Sequence, residues 1–182
     1  MGLKDKLVKC LYKAFTLQAS DYLNFSIVIT NQYSNKFGGE YVPSEKILII
    51  QKDESNCYEL MFSTAIHELS HHVEYIRYGY TKHDTTFHEI QKELILAAFK
   101  LRYIHPSKLK LAESFLSRHS ERKRIISICD EYIKKNKINQ YQLEVTYFLE
   151  KKDKGFNYSP ILDGYYKFEP CGKKHNYLLK KG

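Results

Sequence analysis

The sequence predicts an α+β fold: an N-terminal helix, a small antiparallel sheet, a long helix, a following helix, and a basic C-terminal α/β extension. Three observations carry that prediction. Apolar residues recur at helical spacing in three separate segments, β-branched runs cluster between the first two of them, and the balance of charge changes sign near residue 100. The predicted division is 1–118 for the first domain and 119–182 for the extension, packed on the same core.

Leu3, Leu7, Leu11, Ala14 and Phe15 repeat at helical spacing, so a first amphipathic helix is expected to run to about residue 18. "NFSIVIT" (24–30) is rich in β-branched residues and reads as a strand. In "KFGGEYVPSEKILIIQK", Gly38-Gly39 and Pro43-Ser44 mark turns, and a strand follows over Ile47–Gln51. A second helix is expected from roughly Asn56 to Tyr78, ended by Gly79. Its apolar stripe is Phe62, Ile66, Leu69, Val73 and Ile76, stepping by 4, 3, 4 and 3. The third helix is expected to start near Thr86, with Thr86 and Glu89 matching a capping box. It turns Phe87, Ile90, Leu94, Ala98 and Leu101 inward and stops before Pro106. Beyond it, 107–118 and 120–135 read as helices, 142–150 as a strand, "KKDKG" as a turn and "GYYKF" (164–168) as another short strand.

At 182 residues the chain is long enough for one sizeable core. Cys10, Cys57, Cys129 and Cys171 are scattered with no CxxC pair, which suits reduced thiols better than a disulfide framework or a zinc ribbon. No apolar run is long enough to span a bilayer, so no membrane partner is expected. The first residues show no hydrophobic signal core, and Lys6 breaks the myristoylation pattern, so the expected location is the cytoplasm. Residues 1–99 carry 10 Lys/Arg against 12 Asp/Glu, whereas residues 100–182 carry 19 against 9. Such a split fits a polyanion-binding half. It fits equally a Lys-rich composition, since Lys outnumbers Arg 24 to 5.

Five of the eight histidines fall within residues 63–90. His67-Glu68-Leu69-Ser70-His71 is an HExxH motif on the second helix. Residues four apart on a helix share a face, about 5–6 Å between Cβ atoms, so both imidazoles can reach one ion. Zinc takes such nitrogen ligands, and a catalytic site uses three protein ligands and leaves a position for water. Glu68, beside a ligand, can face that water as general base. For the third ligand, His83, His88, Glu89 and Glu93 all fall within range, and the residues alone leave the choice open. His72 shares a helix face with Glu68 and can hydrogen-bond near the site. His105, His119 and His175 read as surface residues, and Cys171 with His175 lacks the second pair a metal knuckle needs.

"HELSHH…KHDTTF", preceded by "FGGEYVPSEKILII", resembles the SprT-like zinc metallopeptidases, the family that includes the Spartan protease. That family pairs HExxH with a later His-Gly-x-x-Phe/Trp whose histidine is the third ligand. The matching positions are His67, Glu68, His71, His83 and Phe87, and the likeness covers about residues 1–105. Asp84 stands where the family has Gly, and the C-terminal zinc ribbon of many bacterial members is missing. The resemblance implies a zincin-like metallopeptidase domain with one zinc per chain on His67, His71 and His83, Glu68 as catalytic base, and DNA-associated or DNA-crosslinked proteins as substrates.

The tail interleaves basic and aromatic residues, the composition of a surface that tracks a nucleic-acid backbone and stacks bases. Lys151, Lys152, Lys154, Lys167, Lys173 and Lys174 are its candidate contacts to single-stranded DNA. A solvated lysine-rich face over a tyrosine-rich core fits the same residues equally well. Two further functions fit the sequence: a non-proteolytic nucleic-acid-binding protein with a structural zinc site, and a phage or mobile-element metalloprotease with a dedicated protein target.

Overall fold

The first helix, α1 (Leu3–Phe15), buries Leu7, Cys10 and Leu11 along one stripe, and the Asp5 carboxylate accepts the Gly2 N–H at 2.9 Å to close its first turn. It ends three residues short of the expected 18, because Thr16 leaves the helical region and a 3₁₀ turn follows at Ala19–Tyr22. This computed structural model describes residues 1–30, 38–51, 58–115, 120–138, 157–159 and 164–166. The chain divides into two compact units, Met1–Leu109 and Lys110–Gly182.

Strands β1 (Ser26–Thr30), β2 (Gly39–Val42) and β3 (Ile47–Gln51) form a sheet in the order β1-β3-β2. The expected antiparallel sheet is in fact mixed. β2 and β3 are antiparallel, from Gly39 opposite Ile50 to Val42 opposite Ile47, because residues 43–46 turn the chain back tightly, with Lys46 at φ 54°. β1 runs parallel to β3, from Ser26 beside Ile47 to Thr30 beside Gln51. Residues 31–46 separate those two strands, a connection long enough for the parallel arrangement. One face of the sheet buries Tyr41, Leu48 and Ile50.

Helix α2 (Tyr58–Tyr78) packs against β2 and β3 on one side and α3 (Thr85–Lys100) on another, and α3 also packs on α1. Phe62, Ile66, Leu69 and Val73 of the α2 stripe are fully buried, as are Phe87, Leu94 and Ala98 of α3. Burial of each large apolar side chain contributes about 1.5–3 kcal/mol. Ile76 and Leu101, the last members of the two stripes, are half-buried at the helix ends. Gly79 terminates α2 at φ 74°, a left-handed conformation that glycine adopts without cost, and its N–H bonds Tyr75 O at 2.8 Å. The start of α3 differs from expectation. Asp84, not Thr86, is the N-cap: its backbone is extended and its carboxylate accepts Phe87 N–H at 3.2 Å. A carboxylate at that position also meets the positive end of the helix dipole.

Helix α4 (Pro106–Phe115) opens with proline at its first position, where no N–H is needed. His105, expected on the surface, is half-buried and caps α4, its Nδ1 accepting Ser107 N–H at 3.2 Å. In the second unit, α5 (Ser120–Lys135) buries Ile125, Ile128, Cys129 and Ile133, and Asp130 pairs with Lys110 at 2.7 Å. Strands β4 (Asn157–Ser159) and β5 (Gly164–Tyr166) pair antiparallel. The strand expected at 142–150 and the turn after it lie outside the described residues. The fold is therefore mixed α+β, with five helices and a small three-stranded sheet among the described residues. No described helix is long and apolar enough to cross a membrane.

Candidate metal centre

His67 and His71 occupy successive turns of α2, which brings their Nε2 atoms to 3.2 Å. His83 comes from the loop between α2 and α3, and its Nε2 lies 3.1 Å from His67 Nε2. One ligand atom from each of the three falls within 4.8 Å of the others. The loop is tied down on both sides of His83. Glu74 Oε2 accepts the Lys82 N–H at 2.7 Å, and Asp84 caps α3. Phe87, fully buried, packs against all three imidazoles, with ring centroids 4.4 Å from His71, 4.8 Å from His83 and 5.0 Å from His67. The His-x-x-x-Phe spacing thus sets a candidate ligand in the loop and its buttress in the first turn of α3.

The donor set fits a metal ion. An imidazole nitrogen carries one lone pair or one proton, so His67 Nε2 cannot make a good hydrogen bond with both neighbours at once. A single cation between the three resolves the conflict. The separations also approach the edge of a zinc tetrahedron, about 3.3 Å for arms of 2.0–2.1 Å. His88, Glu89 and Glu93 are not part of the group: Glu89 and Glu93 are exposed and His88 is half-buried.

Glu68 projects from the same turn as His67 and is buried, 4% exposed. Strand β2 crosses directly over it. A Cβ on Gly39 would stand 2.8 Å from Glu68 Oε1, 2.8 Å from Thr64 Cγ2 and 2.9 Å from the Ile49 carbonyl oxygen, so no side chain fits there. Gly39→Ala must push β2 away from α2 or turn Glu68 aside. If Glu68 serves as the base of a zinc peptidase, the variant should still bind zinc while cleavage falls about 10²-fold, the scale of a 1 Å misplacement of a catalytic group. Wild-type cleavage by Gly39→Ala would mean that Glu68 does not act where β2 meets it.

Four residues around the centre escaped sequence reasoning or took a different role. Gln91 is buried beneath His67, its Nε2 3.4 Å from His67 Nδ1. A half-turn of the amide presents its oxygen to Nδ1–H, the arrangement that fixes a ligating imidazole. Its signal was a polar residue one turn after Phe87 on an apolar face. Glu74 is fully buried; burial raises its carboxyl above the usual range, against the Lys82 N–H, which lowers it, while Asp84 raises it further. His72, in line with Glu68, serves the fold: Nε2–H donates to the Tyr22 carbonyl at 3.1 Å and Nδ1 accepts from the Tyr41 hydroxyl at 2.9 Å. Burial, with Tyr75 nearby, pushes that hydroxyl up to about 12, so Tyr41 remains a donor.

His72 predicts an acid-sensitive stability. Burial foremost, with Lys46, lowers its pKa to about 4 despite the Tyr22 carbonyl, whereas the unfolded value is near 6.5. The folded state therefore resists protonation that the unfolded state accepts. The contribution is complete above about pH 6.5, is lost as pH falls from there towards 4, and is on the order of 3 kcal/mol. In chelated protein, the unfolding free-energy difference between wild type and His72→Gln should shrink between pH 7 and pH 4.5. The three clustered histidines cancel in that comparison. A pH-independent difference would mean that His72 is not held neutral.

Lys151, Lys152, Lys154, Lys167, Lys173 and Lys174 lie outside the described residues. Comparisons with protein-family models, curated proteins and solved structures find no match.

Proposed function

We propose that this chain is a zinc-dependent endopeptidase of the SprT-like kind. The observation that carries the reading is three imidazole nitrogens converging beside a buried carboxylate, Glu68, which an edge strand crosses at Gly39. Three histidines, with no fourth protein ligand grouped with them among the described residues, suit a catalytic centre better than a closed structural one. Zinc in such a centre lowers the pKa of a water to about 7 and polarises a carbonyl.

The protein's own groups do the rest. His67, His71 and His83 hold the ion, with Gln91 behind His67 and Phe87 packed against all three rings. Glu68 takes the proton from the water as its oxygen attacks the scissile carbonyl carbon, then delivers it to the departing amine as the C–N bond breaks. β2 is an edge strand of the three-stranded sheet among the described residues. Its free side can pair with an extended peptide by main-chain hydrogen bonds, a mode that accepts many sequences and brings the chain past Glu68. The resemblance and the basic second half together point to DNA-associated or DNA-crosslinked proteins as substrates and to single-stranded DNA as a partner. The test is cleavage of casein and of histone by zinc-loaded protein, with and without single-stranded DNA. Zinc-dependent cleavage supports the peptidase reading, and stimulation by DNA supports the substrate class. A zinc-bound protein inert on both substrates would contradict the peptidase reading, and cleavage unaffected by DNA would contradict the substrate class.

A further inference from the structure

Glu74 is a buried carboxylate that neither the fold nor the proposed reaction consumes. It follows His71 by three residues and His67 by seven, so it lies on the ligand face of α2, one turn further along. The residue is 0% exposed. One oxygen accepts the Lys82 N–H at 2.7 Å, and the Asp84 carboxyl lies close enough to the group to interact with it. An apolar side chain of similar size would fill that space without burying a carboxyl group beside that of Asp84. The bond it makes is therefore the feature to explain.

That bond fixes the residue immediately before His83. His83 is exposed, and the loop that carries it begins at Gly79, around which a Cβ would meet nothing within 4 Å. Packing alone holds this stretch weakly. The backbone is instead tied to α2 at Lys82 and to α3 at Asp84, one residue on either side of the imidazole. The second tie is an ordinary helix cap; the first crosses from loop to helix. We infer that Glu74 is a positioning residue that holds His83 ready for the metal, a role that rests on the metal-centre reading above but not on peptidase activity.

The test is zinc affinity, measured by chelator competition, for wild type, Glu74→Leu, Glu74→Gln, His83→Ala and the Glu74→Leu/His83→Ala pair. Leucine fills the space without accepting a hydrogen bond, whereas glutamine retains an acceptor oxygen for Lys82 N–H. Glu74→Leu should weaken binding about 10–100-fold, as loss of an outer partner of a ligand does, and Glu74→Gln should restore it to within a few-fold. In the His83→Ala background, Glu74→Leu should cost nothing more. Unchanged affinity in Glu74→Leu, or an equal loss with and without His83, would overturn the assignment. Amide exchange in the wild-type protein reads the clamp with no substitution. Lys82 N–H should be protected without zinc and more protected with it, and free exchange in both states would also overturn it. If wild type itself binds no zinc, the metal-centre reading has failed; wild-type binding with an indifferent Glu74→Leu refutes this inference alone.

Discussion

Glu68→Gln binds one zinc per chain, unfolds at the wild-type temperature, and cleaves peptide about 10²–10⁴-fold more slowly. That is the expected result if Glu68 moves a proton and holds no metal. The amide keeps the size and the hydrogen-bonding oxygen of the carboxylate, so the crossing of β2 over α2 at Gly39 is undisturbed. What it cannot do is accept the water's proton, and general acid–base catalysis is worth a factor of that size. The loss should fall on kcat and kcat/KM alike, because the proton moves only on the way to the transition state. Undiminished cleavage by Glu68→Gln would remove the proposed mechanism.

His83→Ala acts earlier, on the metal. Only two imidazoles of α2 remain, and zinc affinity should drop by at least about 10²-fold, more than an outer partner is worth. Glu89→Ala and Glu93→Ala should leave affinity unchanged, since both side chains are exposed and outside the cluster. His88→Ala should do the same. Full zinc occupancy in His83→Ala together with loss in either glutamate variant would assign the third ligand to α3.

The features that repeat along one helix were legible in the sequence. The 4-3-4 stripe from Phe62 to Val73 defined the buried face of α2, and the four-residue step from His67 to His71 put both rings on one side of it. Gly79 marked the helix end because no other residue tolerates that backbone so cheaply. Features set by distant partners were not legible. The pairing of β1 with β3 depends on where a long connection lands, which strand propensity does not encode, and so the sheet proved mixed. The cap of α3 proved to be Asp84, two residues before the expected Thr86. Buried Glu74 and Gln91 were invisible because polarity reads as exposure until a partner is known. The position of Glu74, one turn beyond two histidines on their own helix face, was the available clue.

X-ray absorption at the zinc edge of the loaded wild-type protein tests the central claim most directly. The account predicts three imidazole nitrogens and one oxygen donor at about 2.0–2.1 Å, with the imidazole count falling to two in any zinc retained by His83→Ala. A shell of four protein nitrogen or sulfur donors, unchanged by His83→Ala, would contradict it.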